Sequence, residues 1–122
     1  MNADTHQSAH RIEITPNGRR CRVIHQGVTY ADTHASLTLA ETGLPPVHYF
    51  PRADVNMARL ERSIHTSHCP FKGDATYFSA PDAKDAFWVY ESPSEDDAEP
   101  IAGLLAPWPG RVDVIVDGER LS

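Results

Sequence analysis

The sequence predicts a small, mainly β protein with an antiparallel sandwich or a partly open barrel as its architecture. Three observations favour this fold class. The length of 122 residues suits one hydrophobic core. Ten prolines and seven glycines divide the chain into short segments, and between these breaks apolar and polar residues alternate with the period of two that is typical of strands. The prediction therefore allows at most one short helix.

The first strand signals follow a polar lead-in. Residues 1–9 carry no periodicity and are predicted to be a disordered segment, which leaves residues 10–122 as a single β-rich domain. Residues 11–14 alternate and stop at the turn signal of residues 16–18. The segments on either side of Gln26 and Gly27 are predicted to form a hairpin, because both alternate and the two residues suit a tight turn.

The second half continues this pattern with one helical interruption. Pro45 and Pro46 exclude a helix or a central strand at that point. Residues 54–60 are predicted to form a short helix, and the aromatic-rich residues 75–90 a second hairpin. The acidic, proline-bounded residues 92–100 are expected to be a solvated loop, and residues 112–116 a last strand.

Charge and composition limit the classes of partner. Seventeen acidic residues against eleven basic ones give a net charge of −6, so nucleic acid is not expected as a partner. Neither a membrane-spanning stretch nor a signal peptide is recognisable, which favours a cytoplasmic location without membrane binding. Two cysteines do not make a disulfide framework. The pattern leaves the oligomeric state open.

Two segments resemble the signatures of the family called domain of unknown function 427 (DUF427). They are residues 41–55 and residues 65–77, and the similarity continues through shorter matches at residues 88–90, 101–103 and 111–113. The resemblance implies a β-rich domain, of the β-tent type, with no established activity. It therefore informs the fold more than the function.

The family is also labelled nucleotidyltransferase-like, and that label implies carboxylates that hold two metal ions beside a phosphate-binding loop. Asp96 and Asp97 lie in the acidic segment without such a loop, and Asp113 and Asp117 lie four residues apart at the last strand. The residues therefore do not favour nucleotidyl transfer.

A tight loop at residues 69–73 carries the first candidate chemistry. Cys69, Lys72 and Glu41 are the candidate catalytic residues, because a nearby ammonium lowers the pKa of a thiol and favours the nucleophilic thiolate. This hypothesis describes a small-molecule enzyme or a redox-sensitive protein that uses Cys69 as nucleophile, with Lys72, Arg52, Glu41 and a histidine nearby. The alternative is that Cys69 is a buried apolar residue and that Lys72 and Glu41 form a structural ion pair.

A metal site is the weaker interpretation of the neighbouring histidines. His65 and His68 are three residues apart and would converge on a helical turn beside Cys69, and imidazole and thiolate both suit zinc. The Cys-x-x-Cys pairs that serve zinc in β-tent relatives are missing. We therefore expect no metal and no other cofactor.

Aromatic residues beside the loop favour a binding site for a small planar or anionic molecule. Alternation separates Tyr77 from Phe78 and Phe87 from Trp88, so one set is core and the other is available to line a pocket. The candidate ligand-binding residues are Tyr49, Arg52, His65, Tyr77, Trp88 and Tyr90.

Glu41, Arg52 and Lys72 are expected to form one charged cluster at the mouth of this cleft. As part of a ligand site, Lys72→Met should leave the protein folded. As the partner of a buried Glu41, its loss should cost about 3 to 5 kcal/mol. The binding module is the favoured function, the Cys69 enzyme is the first alternative, and a structural interaction domain is the second.

Overall fold

The computed structural model describes residues 10–121, and the predicted disordered residues 1–9 lie outside this range. The protein is mainly β, as predicted, and its strands form three antiparallel sheets that do not close into a barrel within the described range. The strands are β1 Ile12–Pro16, β2 Cys21–His25, β3 Val28–Thr33, β4 Leu37–Glu41, β5 Val47–Tyr49, β6 Glu61–Cys69, β7 Gly73–Ala80, β8 Ala83–Val89, β9 Leu105–Pro107, β10 Asp113–Val116 and β11 Glu119–Arg120.

The sheets have the strand orders β1-β4-β5, β11-β10-β2-β3 and β6-β7-β8-β9. We call them the first, second and third sheet. A backbone bridge between Phe50 and Leu105 connects the end of β5 to β9, so the first and third sheets meet at this edge. A second bridge, between Ala31 and Val55, attaches the segment after β5 to β3.

Both predicted hairpins are confirmed. Strands β2 and β3 pair antiparallel around Gln26 and Gly27, whose φ angles of 50° and 77° are those of a tight hairpin turn. Strands β7 and β8 form the second hairpin. Its turn is shorter than predicted, because β7 extends to Ala80 and β8 already begins at Ala83.

The helical segments are all of the 3₁₀ type within residues 10–121. The helix predicted for residues 54–60 is replaced by two short turns, Arg52–Asp54 and Met57–Arg59, separated by extended backbone at Val55. The prediction of a solvated loop at residues 92–100 was wrong. Asp96–Ile101 forms a 3₁₀ helix that buries Ala98 and Ile101 completely, and the many acidic residues around these two apolar positions obscured the pattern.

Strand β6 is the element that the sequence patterns missed. Its nine residues are almost all exposed, so the alternation that marks a half-buried strand is absent. His65 and His68 lie on this strand and not on a helical turn, and three residues along a strand place side chains on opposite faces. They pair separately, His65 with Asp85 and His68 with Asp74.

The buried residues fall into two clusters. The first, which we call the packed core, contains most of the aliphatic residues of β2, β8 and β10 together with Phe50, Phe78 and Phe87. The second, the cavity core, contains Leu39, Tyr49, Ala75, Tyr77, Tyr90, Ala98, Ile101 and Ala106. None of the helices between residues 10 and 121 is long and apolar enough to cross a membrane.

Candidate functional site

A cavity of about 270 Å³ opens between the first and third sheets. We call it the main cavity. Its lining combines five aromatic side chains, five aliphatic or proline side chains and one ion pair. The lining residues are Leu39, Glu41, Leu44, Pro45, Val47, Tyr49, Lys72, Tyr77, Trp88, Tyr90, Trp108 and Pro109.

Strand alternation in the second hairpin brings the aromatic walls together. Tyr77 pairs with Trp88 across β7 and β8, and the next pair along the ladder is Phe78 with Phe87. Successive side chains point to opposite faces of a sheet. Tyr77 and Trp88 therefore line the main cavity while the two phenylalanines fill the packed core, which is the division that the sequence predicts.

The loop between β6 and β7 places Lys72 at this cavity. The Lys72 amide donates a hydrogen bond to the Cys69 carbonyl at 3.2 Å, so the chain makes the predicted tight turn. Gly73 follows with a φ of 104°, and a Cβ atom there would lie 3.0 Å from the backbone nitrogen of Ser94. Only glycine fits this turn. The Ser94 amide also donates to the Lys72 carbonyl, which ties the loop to residues 92–94.

Glu41 and Lys72 form a buried ion pair at one end of the cavity. Their side chains are 6% and 9% exposed, and the ammonium Nζ donates a hydrogen bond to Glu41 Oε1. His10 Nε2 lies 3.0 Å from the other oxygen, Oε2, and the His10 ring stacks on Phe71. Burial raises the pKa of Glu41, but the hydrogen bonds from Lys72 and His10 outweigh it, so the net pKa lies below its ordinary value.

The hydroxyl groups of Tyr49 and Tyr77 are hydrogen-bonded at the cavity wall. Trp88 Nε1 donates to the Tyr49 hydroxyl at 3.2 Å, and the Tyr77 hydroxyl lies 2.8 Å from Ser67 Oγ. Burial raises the pKa values of Tyr49 and Tyr90 far above normal. The hydroxyl groups of Tyr49 and Tyr90 therefore stay protonated at neutral pH and are neutral.

His65 lies behind the wall and not in it. Its ring stacks on Tyr77 with centroids 4.2 Å apart, and its Nδ1 lies 3.0 Å from Asp85 Oδ2. Asp85 is buried. Burial raises the pKa of this carboxyl, yet hydrogen bonds from Ser63 and His65 bring it below its ordinary value. His65 thus supports Tyr77 from the outer side.

The structure places Arg52 away from the charged pair, so the expected three-residue cluster is wrong in this respect. The guanidinium contacts Glu91 at 3.3 Å and the Gly103 carbonyl at 3.3 Å, and it lies over the ring of Phe78. Arg52 begins the first 3₁₀ turn, after β5 has ended at Tyr49 and after Phe50 has joined the packed core. Arg52 and Lys72 belong to the two segments that resemble the family, but this membership did not show that their side chains have different partners.

Cys69 ends β6 and is half-buried against the cavity core, but it is not among the residues that line the main cavity. The sequence placed it beside Lys72 because both belong to the same tight loop. Of these two residues, Lys72 lines the cavity, whereas Cys69 packs against the residues of the cavity core. The catalytic role of Cys69 stays a prediction.

Sequence reasoning missed Trp108 and the proline rim. Trp108 packs 5.9 Å from Trp88 and 6.1 Å from Tyr77, and the Arg111 guanidinium covers it at 3.6 Å. Its position between two prolines was the available signal, because a large aromatic residue in a rigid, irregular segment often packs against a site. Leu44 and Pro45 were noted only as breaks in the strand pattern.

A family model described as Domain of unknown function (DUF427) matches residues 13–118, which is nearly the whole described chain. The chain belongs to the DUF427 family. The resemblance seen in the sequence is therefore confirmed. A search among curated proteins gives no match.

The nucleotidyltransferase label implies carboxylates that lie close together. In this DUF427 member the candidate carboxylates do not converge. Asp113 pairs with Arg120 at 3.6 Å and Asp117 pairs with Arg19 at 3.7 Å, so each is engaged with a different arginine. Asp96 and Asp97 begin the last 3₁₀ helix. Within residues 10–121, no group of three or more His, Cys, Asp or Glu side chains is arranged to hold a metal ion.

Proposed function

We propose that this DUF427 protein is a binding module that holds a small planar molecule, neutral or singly anionic, in the main cavity. One observation carries the proposal. The chain has four tyrosines and two tryptophans, and five of these six side chains line one cavity beside a buried ion pair. A core that needed only to be filled has no physical reason to collect the aromatic residues with polar atoms on one side.

The walls favour a flat ring. Tyr77, Trp88 and Trp108 meet at tilted and edge-on angles, with ring centroids about 6 Å apart. Tilted and edge-on contacts at this spacing are the geometries that aromatic rings prefer, and a planar ligand in the cavity would make contacts of the same kind with these walls. Leu39 and Val47 add apolar contact from the first sheet. Ligand pockets typically combine such apolar walls with a few polar groups.

The charged end favours a hydrogen-bond acceptor on the ligand. The Lys72 ammonium has three N–H donors, and Glu41 accepts from one of them. Glu41 itself is already shared between Lys72 and His10. A bound cation would have to compete with both for this carboxylate. A carbonyl or carboxylate oxygen that meets Lys72 faces no such competition, which is why the proposal names a neutral or anionic ligand.

The two tryptophans allow a direct test, because both of them line the main cavity. In a ¹H–¹⁵N spectrum each indole N–H gives one signal, so both signals report on this site. We expect benzoate and benzamide to shift the signals saturably and tetramethylammonium to leave them unchanged. The double variant Glu41→Gln with Lys72→Met should weaken the binding of benzoate more than that of benzamide. It removes the Lys72 ammonium, whose positive charge attracts the benzoate carboxylate.

Ile64→Ala is the matched control, since Ile64 is fully exposed on β6. It should bind every compound as the wild type does. If neither aromatic compound moves the indole signals at millimolar concentration, the proposed function is wrong. If tetramethylammonium alone moves them, the cavity is a cation cage instead.

A further inference from the structure

A second cavity of about 320 Å³ adjoins the main cavity. Pro45, Val47, Trp88 and Pro109 line both, so they form the boundary between the two spaces. The remaining walls of the second cavity come from two prolines, a valine of β10, the leucine that follows β11 and one histidine: Pro46, Pro107, Val114, Leu121 and His48. The ion pair belongs to the main cavity alone.

His48 is the polar side chain of the second cavity, and its neighbours determine where its proton lies. Its Nδ1 is 3.0 Å from Thr38 Oγ1 and 3.3 Å from the side-chain nitrogen of Asn17. The orientation of the Asn17 amide follows from a third contact, because the Arg19 backbone N–H donates to Asn17 Oδ1 at 3.0 Å. The group that faces His48 is therefore the NH₂ group, which can only donate.

A donor opposite Nδ1 requires Nδ1 to be an acceptor. In a neutral imidazole the proton must then reside on Nε2, so the hydrogen-bond network assigns the Nε2–H tautomer. Burial also lowers the pKa of His48, which keeps the ring neutral at physiological pH. The hydrogen bonds described for this ring within residues 10–121 all use Nδ1, so the Nε2–H edge is the one left for the cavity.

We infer that the ligand is elongated and that the second cavity is a subsite for its distal end: an apolar arm, aromatic or aliphatic, that carries a hydrogen-bond acceptor for His48 Nε2–H. This inference rests on the proposed function and deepens it by naming the ligand class. The position of the two cavities side by side, with Trp88 and three other residues lining both, carries it together with the hydrogen-bond donor of His48.

The polar and apolar lining residues of the two cavities together indicate which chemical group each part of the ligand carries. An acceptor or carboxylate meets Lys72, a flat ring lies among the aromatic side chains, and an apolar arm passes Trp88 and Pro109. At the far end a carbonyl or ether oxygen accepts from His48. Pro45, Pro46, Pro107 and Pro109 make these walls rigid, since proline fixes its own backbone angle.

Three compounds of increasing length test the inference by the same indole signals. Benzoate reaches the main cavity only, biphenyl-4-carboxylate adds an apolar ring, and 4′-acetylbiphenyl-4-carboxylate adds a ketone oxygen at the far end. We expect the second to bind about tenfold more tightly than the first, because its extra ring is removed from water. The ketone should add about fivefold, the effect of one net hydrogen bond.

The variant His48→Phe keeps a planar aromatic ring and removes both ring nitrogens, including Nε2–H. It should abolish the gain from the ketone and leave benzoate binding unchanged. In the wild-type protein, nuclear Overhauser contacts should connect the acetyl methyl group to His48 or Pro46, a measurement that stands even if the variant does not fold.

The outcomes separate the two proposals. If benzoate binds and the biphenyl compounds bind no better, the subsite is wrong and the proposed function stands. If the ketone adds nothing, or adds the same in His48→Phe, the role of His48 is wrong. If none of the three compounds moves the indole signals, both proposals fail together.

Discussion

The two faces of the third sheet are built from the same hairpin and differ in chemistry. On one face Phe78 and Phe87 join the packed core with the aliphatic residues of the second sheet. On the other face Tyr77 and Trp88 border a cavity of about 270 Å³ and a buried ion pair. Three of the four phenylalanines belong to the packed core, whereas five of the six tyrosines and tryptophans line the cavity.

Within one sheet, one face therefore contributes to the packed core and the other to the cavity of the proposed binding site. Phenylalanine offers apolar area without a polar atom, so it suits a face whose only task is to exclude water. Tyrosine and tryptophan carry a polar atom that needs a partner, and an open space with a buried charge pair is costly for folding. Sites that violate the rules of good packing are typically those that bind something.

The largest expected effect compares neighbouring residues on opposite faces. Phe87→Ala should lower the free energy of unfolding by about 4 kcal/mol, because the side chain is fully buried and the packed core has no room to relax. Trp88→Ala should cost only about 2 kcal/mol despite the larger side chain, because one side of the indole already borders a cavity. Urea unfolding of both variants measures the difference. Equal losses would show that the two faces are packed alike.

Next in size is the effect of the ion pair. Lys72→Met should lower the free energy of unfolding by about 3 kcal/mol at pH 7, because it leaves Glu41 buried without its main partner while His10 still contacts one oxygen. Adding Glu41→Gln should restore most of the loss. This loss is the one that the sequence predicted for a structural ion pair. Because this pair also lines the cavity, the expectation that stability alone would separate a structural role from a ligand site is replaced by a binding test.

The test of function is therefore the double variant. It should recover stability in urea and still bind benzoate more weakly than the wild type. If Lys72→Met alone is as stable as the wild-type protein, Glu41 does not depend on Lys72 in the folded state.

A smaller effect concerns the hydroxyl groups of the cavity. Tyr49→Phe should cost about 1 kcal/mol, because the Trp88 N–H loses its acceptor in a nearly dry environment. Tyr77→Phe is the matched control, since its partner Ser67 is exposed and can bond to water instead. Its unfolding midpoint should stay near that of the wild type. A larger loss for Tyr77→Phe than for Tyr49→Phe would contradict the assigned hydrogen bonds.

The smallest expected effect is on the pH dependence of the free energy of unfolding. The pKa of Glu41 is lower in the folded protein than its ordinary value of 4.5, so the unfolded chain takes up a proton first as the pH falls. The stabilisation by Glu41 is therefore complete above pH 4.5 and is lost as the pH falls toward the folded pKa. As the pH falls from about 5 toward the folded pKa of Glu41, the double variant should lose less unfolding free energy than the wild type.

Other acidic groups are present in both proteins and cancel in this comparison. Asp32 and Asp85 also have pKa values below their ordinary ones, through Arg20 and through Ser63 and His65 respectively. If the two proteins show the same slope, Glu41 has no depressed pKa in the folded state.

Local patterns predicted much of this fold. Two features depend only on residues that are adjacent in the sequence and were therefore predicted: the turn at Gln26 and Gly27, and the alternation of Tyr77 with Phe78. Strand β6 was not, because an exposed edge strand has no buried face to impose a period of two. The buried Ala98 and Ile101 were hidden for the opposite reason, since two apolar positions among acidic residues make too weak a pattern.

By itself the sequence determined the family, the mainly β class and the residue types of the candidate site. It also determined which aromatic residues share a face, because that depends only on the geometry of a strand. Tertiary structure decided the rest. Lys72 meets Glu41, 31 residues away, while Arg52 turns to Glu91, 39 residues away. Such partners are chosen by the way the sheets pack, which no local pattern encodes.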